Sequence, residues 1–272
     1  MRNRRPVDRV KFVTRKFLLA VLAAAVAFPL LYMLSSSLFS ARDFNQIHIL
    51  PETPVWANYI KALSHRHFLS YIVNSVGTAL LASILRTAVI ILAAFALTHL
   101  RFRGRNAVFA ALVLTLFIPQ EALLYQNYRT VASLGLLDTW AGIIATSLFS
   151  GAQMLLVMGS FMSLGHETYD AARIDGASDL MYIHSVLVPL SGPVVITVFI
   201  QTLITVFNSY LWPLLVTNRP GSRTIQVGIT MLGFAESGET GAQMATITLI
   251  SIPFLVILAI AKRKIQNALI RR

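Results

Sequence analysis

Long runs without charge alternate with short polar segments along this chain, and the lengths of those runs set the architecture. A bilayer core requires about 20 apolar residues per spanning helix. Six runs meet or approach that measure: Phe17 to Phe39, Leu69 to Thr98, Ala107 to Tyr125, Trp140 to Met162, Val194 to Val216 and Gly241 to Ala261. The second contains Arg86. The third is the shortest in strictly uncharged residues and must place Glu121 at an interface. The fifth comes from an uncharged stretch, Leu180 to Asn218, that is too long for one span and is divided at Pro189 and Pro193. The pattern predicts an all-α polytopic membrane protein with six transmembrane helices.

Composition agrees, with 56 % hydrophobic and 12 % charged residues in 272. The net charge of +12 lies in short flanks between apolar blocks rather than in one long basic stripe, which argues against nucleic acid. Of the 23 Lys and Arg residues, sixteen fall on the side of the two termini, six fall in the opposite loops, and Arg86 lies within a run. Cytoplasmic flanks retain positive charge, so the N and C termini are both expected to be cytoplasmic. The basic start is read as the flank of a retained first helix, because its apolar run exceeds a usual signal-peptide core and lacks a convincing cleavage site. The expected organisation is a cytoplasmic basic segment at 1–16, a transmembrane domain at 17–262 and a cytoplasmic tail at 263–272. With no cysteine, disulfides and thiolate zinc sites are excluded.

Against this background residues 165–193 stand out as the longest cytoplasmic loop, carrying Glu167, Asp170, Asp175 and Asp179 against Arg173. The residues from Glu167 to Ile174 favour helix, with acids in the first turns where the helix dipole prefers them, and Gly176 can take the positive φ that ends it. Ser178 can cap a second short helix with Leu180, Ile183, His184 and Leu187 on one face, until Pro189 stops it. A helical connector with solvated charges accounts for the same pattern.

The segment resembles the signature loop of the membrane subunits of bacterial ATP-binding-cassette importers: Glu-Ala-Ala, three residues, Gly, nine residues, then Ile-x-Leu-Pro. Here Asp170-Ala171-Ala172 stands at the triplet, Gly176 follows, and Val186-Leu187-Val188-Pro189 closes the pattern. Asp175-Gly176-Ala177 resembles the Asp-Gly-Ala of the carbohydrate branch. "NYIKAL" at 58–63, "NSVGTALLAS" from Asn74, "RFRGRN" at 101–106, "LGLLDTWAGII" at 134–144 and "FNSYLWPLL" at 207–215 resemble further family segments. The pattern departs at Asp170, where Glu is usual, and at Gly165, where Pro commonly precedes the loop.

The resemblance, closest to the permease subunits for glycerol-3-phosphate and related sugar derivatives, implies a type I importer permease fold in the bacterial plasma membrane. It implies a homologous second permease subunit, two ATPase subunits and an extracytoplasmic solute-binding protein as partners, with ATP and Mg held by the ATPases and no cofactor in this chain. The loop would couple to the ATPase through Asp170, Ala171, Ala172, Gly176 and Pro189 and the Leu180, Ile183 and Leu187 face, with Asp175 shaping it from within. The sequence itself has no G-x-x-x-x-G-K-[ST] phosphate loop, no G-x-S-x-G and no H-E-x-x-H. His65 and His67 without a third ligand are expected to be solvated rather than metal-bound. A secondary transporter would call for acids within the spans or an inverted repeat, and a membrane-bound enzyme for converging acid-base groups; neither is found.

Two features inside the spans remain. Arg86 is expected to snorkel from a tilted helix or to meet another subunit, ahead of a role in solute binding. Asn208, Tyr210 and Trp212, just before Pro213, supply hydrogen-bonding and stacking groups suited to a sugar and are the candidates for the solute pathway, and a bundle-packing or interfacial role accounts for the same residues.

Overall fold

The computed structural model describes residues 6–46, 48–235 and 239–252; among them the ordered elements are all helical. The chain divides into two compact units, residues 1–68 with 229–272, and residues 69–228.

In the first unit the helix Pro6–Ser36 covers the first expected span as far as Ser36 and stops three residues short of its end at Phe39. A capping box follows: the Ser40 hydroxyl accepts from the Asp43 amide while the Asp43 carboxylate accepts from the Ser40 amide. Asn58, in the "NYIKAL" stretch, donates from its amide nitrogen to the Ser37 and Phe39 carbonyls at 3.0 and 2.9 Å. It thereby satisfies carbonyls left open where the first helix ends and fixes the short helix Ala57–Ser64 beside them. Lys61 pairs with Glu239. Helix Thr240–Ile252 covers the start of the sixth run; residues 253–261 and the tail 263–272 lie outside the described residues.

The second unit is built on Phe68–His99, a 32-residue helix whose length of about 48 Å exceeds a bilayer core. Over residues 75–83 its buried face is small and polar (Ser75, Thr78, Ala79, Ala82 and Ser83), while Leu69, Val76, Leu80 and Ile84 point outward. That inversion of the soluble pattern follows from lipid being as apolar as leucine: helices associate through close backbone approach, which small side chains permit. The hydroxyls of Thr78, Ser83 and Thr98 each donate to the carbonyl four residues back and so need no other partner. Nothing larger than hydrogen fits at Gly77: a Cβ there would lie 2.2 Å from the Trp140 ring, whose nitrogen donates to Asn74 Oδ1 at 2.9 Å. Gly77→Ala is therefore expected to destabilise by about 1–3 kcal/mol, read as a lowered Tm in detergent.

The third, fourth and fifth runs are not straight helices, which corrects the expectation from hydropathy. Arg105–Phe117 meets Gln120–Ser133 at 97°, and Trp140–Ser147 meets Gly151–Ser163 at 60°. At the first break Pro119 cannot donate and pushes Ile118 into extended backbone at φ −95°, ψ 112°, so Glu121 falls in a short 3-10 turn beyond the corner. The fifth run breaks at Asn208–Tyr210 between Gly192–Phe207 and Leu211–Val216, because Pro213 leaves the Ser209 carbonyl without its helical donor. Among the described residues two helices, Thr14–Ser36 and Phe68–His99, are singly long and apolar enough to cross a bilayer.

Candidate functional site

The loop at 165–193 forms two short helices about a tight turn. Glu167–Ile174 ends at Asp175, Gly176 stands at φ +82°, and the Ser178 hydroxyl accepts from the Met181 amide to start Asp179–Tyr182. An L side chain is strained at that φ, whereas glycine is not. Pro189 does not stop the second helix. Residues Ile183–Leu187 form a π turn in which the Val188 amide donates to the Ile183 carbonyl, and helix continues to Leu190 before bending 87° into Gly192–Phe207. The wide turn moves hydrogen bonding off the i−4 register in which the proline ring would collide with a carbonyl.

The residues expected on one face do not share it. Ile183 and Leu187 are buried in the unit's own core with Phe161 and Val198, while Leu180 is 71 % exposed. The outward apolar surface is instead Ile174, 86 % exposed, with Leu180 and Met181. Asp170, Ala171, Asp175 and Gly176 are exposed beside it, Pro189 is exposed farther along, and Ala172 is half-buried. Asp179 also holds the loop: its carboxylate accepts from the Tyr169 hydroxyl at 2.9 Å and pairs with Arg173 at 3.3 Å. This carboxylate acceptor holds the Tyr169 phenol above its usual range. Asp179→Ala is expected to cost about 1–2 kcal/mol, against less for Asp179→Asn, which keeps an acceptor; thermal unfolding in detergent measures the difference.

Tyr182 ties the turn to the long helix. Its side chain is fully buried, its hydroxyl shares a 2.8 Å hydrogen bond with Thr168, and its ring meets Tyr169 and His99 edge-on at 5.0 and 5.6 Å. His99 in turn stacks on Phe95 at 5.3 Å and meets His166 at 5.4 Å. The last turn of Phe68–His99 and the first helix of the loop thus share one aromatic cluster, which sequence reasoning missed because its members lie about 70 residues apart in the chain, a separation that no local pattern spans.

The three pathway candidates separate. Trp212 is buried, donates to the Gly142 and Ile143 carbonyls at 3.1 Å, and lines two adjoining cavities of about 410 and 400 Å³. Asn208 lines neither; its amide nitrogen donates to the Ile204 carbonyl at 2.8 Å and its oxygen accepts from Gln226 at 3.3 Å. Tyr210 lines neither cavity and is partly exposed. Arg86, expected to snorkel, is 7 % exposed and lines the larger cavity, its Nε donating to the Ser147 carbonyl.

The sequence profile of the family described as the binding-protein-dependent transport system inner membrane component matches residues 87–271. The chain belongs to that family. The sn-glycerol-3-phosphate transport system permease protein UgpE of Agrobacterium fabrum is 29 % identical, with 99 % of each chain covered. Its counterpart in Salmonella typhimurium is 31 % identical over 79 % of this chain and 77 % of that one. For the fold, a chain from the crystal structure of a bacterial ABC transporter involved in import of the acidic polysaccharide alginate superposes with a TM-score of 0.82. It shares 22 % identity and covers 97 % of this chain and 99 % of that one. A second, from the bacterial alginate ABC transporter in complex with an alginate pentasaccharide-bound periplasmic protein, gives 0.60 at 18 % identity, covering 92 and 94 %.

As an inner membrane component of such a system, the chain has its two-helix turn and Trp212 inside the matched stretch, whereas Arg86 lies one residue before it. Two segments that carry the family resemblance also hold the stretch 218–223 from its two ends. Asp138, at φ +60°, accepts from the Asn218 and Arg219 amides at 2.7 and 2.8 Å, and Asn74 donates to the Gly221 and Arg223 carbonyls.

Proposed function

We propose that the chain forms half of the translocation pathway of an ATP-driven importer for a sugar or sugar derivative, such as glycerol-3-phosphate, a glycerophosphodiester, an amino sugar or an oligosaccharide. It crosses the bacterial plasma membrane six times with both termini in the cytoplasm, three of the spans bent. A homologous second permease subunit supplies the other half. Two ATPase subunits, holding ATP and Mg, dock on the turn around Gly176, and an extracytoplasmic binding protein delivers the solute. The chain has no catalytic residue of its own in this scheme.

The observation that carries this reading is the turn itself: an exposed apolar edge of Ile174, Leu180 and Met181 flanked by Asp170 and Asp175, held rigidly from behind by Tyr182 and Asp179. Burying such an edge against a partner is favourable, and the flanking carboxylates suit a basic rim. The names of the relatives and of the solved transporters support the solute class. Membrane vesicles containing the chain, its second permease subunit and their ATPases are expected to accumulate solute only with ATP and binding protein. Accumulation without ATP would point to a secondary transporter instead. Reporter fusions test the topology: those after residues 104 and 176 are expected on the side of the N terminus, and one after residue 48 on the other.

A further inference from the structure

Arg86 puts a cation into a cavity that is otherwise neutral and polar. The cavity, about 410 Å³ and large enough for a monosaccharide derivative, is lined by Arg86, Gln120, Gln153, Gln201, Ser209 and Trp212 among others, and no carboxylate lines it. The Gln153 amide nitrogen donates to Gln201 Oε1 at 3.3 Å, and Thr202 donates to Gln153 Oε1 at the same distance. These bonds hold two glutamines on the wall, from Gly151–Ser163 and Gly192–Phe207. Trp212 is fixed by its two carbonyl acceptors. A charge inside an apolar span is costly unless it meets a partner or a water-filled pathway.

Arg86 donates from Nε to a neutral partner, the Ser147 carbonyl. The terminal nitrogens of the guanidinium form a planar pair of donors, the geometry that matches two oxygens of a phosphate or carboxylate.

We propose that this cavity is a subsite for an anionic sugar derivative, with Arg86 binding its oxyanion, the glutamines and Ser209 meeting hydroxyls, and Trp212 offering a ring face. The proposal rests on the importer reading above and narrows its solute class to phosphate esters or uronates. Arg86 is buried because it lines the pathway, and the Ser147 carbonyl orients its fork toward the solute. The same contact also satisfies a carbonyl near the break at 148–150, so the guanidinium serves both the bend and the subsite.

The test uses the complete importer in nanodiscs, treated with phenylglyoxal, which modifies accessible guanidinium groups, with the Arg86 peptide followed by mass spectrometry. Arg86 is expected to react, and sn-glycerol-3-phosphate or galacturonate at saturating concentration is expected to slow its modification about fivefold or more. Galactose at matched ionic strength is expected to leave the rate unchanged. The stronger protector of the two anions identifies the headgroup as phosphate or carboxylate. An unreactive Arg86, or equal rates with anion and galactose, overturns the subsite and makes the guanidinium a purely structural donor to Ser147. Binding-protein-stimulated ATP hydrolysis, measured on the same nanodiscs, separates the two readings. Stimulation with an unprotected Arg86 refutes the anion subsite and leaves the importer standing, whereas no stimulation refutes the importer.

Discussion

Gly176→Asp is expected to bring ATP-driven uptake to background while the chain remains inserted in the membrane and folded. Gly176 is at φ +82°, and among the described residues a Cβ there would meet no atom within 4 Å beyond its own chain neighbours. The intrachain cost is therefore only that of a left-handed residue, about 1 kcal/mol, and aspartate is among the residues that best tolerate it. Such a cost neither unfolds a membrane domain nor abolishes transport by itself. What changes is the tip of the exposed turn, which gains a side chain and a negative charge where the proposed ATPase approaches. Gly176→Ala, adding only a methyl, is expected to retain part of the activity. Normal uptake and normal stimulation of ATP hydrolysis in the aspartate variant would remove the turn from the coupling path.

Tyr182→Ala is expected to uncouple the complex from the opposite direction, by loosening the turn from behind. The substitution empties a fully buried site, breaks the 2.8 Å bond to Thr168, and removes the ring that touches Tyr169 and His99. Large aromatic truncations of this kind cost about 3–5 kcal/mol, most of it local when the element is small and peripheral. Amides of residues 167–190 are then expected to exchange faster with deuterium while those of the 68–99 helix hold. Uptake should fall further than ATP hydrolysis, because a loose lever transmits less of the ATPase motion. Tyr182→Phe keeps the ring and is expected to retain most of the transport. Unchanged exchange in the alanine variant would show that the aromatic cluster does not anchor the turn.

The features legible in the sequence are those written in local signals. The run Leu69 to Thr98 is one residue shorter at each end than the helix Phe68–His99, because an uninterrupted apolar stretch and a spanning helix share one length scale. The helix Glu167–Ile174 and the turn at Gly176 are equally legible, since acids, a glycine and the Ser178 cap act within a few residues of one another. Beyond Ser178 the legibility fails. A 3.6-residue period puts Leu180 with Ile183 and Leu187, but the π turn that begins at Ile183 changes the placing of Leu187, and that turn depends on Pro189 and on the packing of Tyr182 and Leu187 against distant helices.

Hydropathy likewise cannot register a 97° corner at Pro119, because it sums side-chain character along the chain and carries no direction. Arg86 illustrates a further limit: a single cation in an apolar run has the same pattern whether it snorkels to an interface or lines a cavity. Only the convergence of Gln153, Gln201 and Trp212 from other elements decides between them. Trp212 was accessible to sequence reasoning because a tryptophan beside a helix-breaking proline is a local signal, whereas the Asn208 side chain satisfies its own helix end instead.

The coupling role of the exposed edge is open to a direct measurement, because the chain contains no cysteine and any introduced thiol is unique within it. Ile174→Cys, Leu180→Cys and Leu187→Cys, each labelled with a thiol-reactive benzophenone in the assembled importer and irradiated, report what lies within reach of each position. Adducts with the ATPase subunit are expected from positions 174 and 180, at yields that change when ATP is added, and not from position 187, which is buried in this chain's own core. A complex that transports solute yet yields no ATPase adduct from positions 174 and 180 would contradict the account.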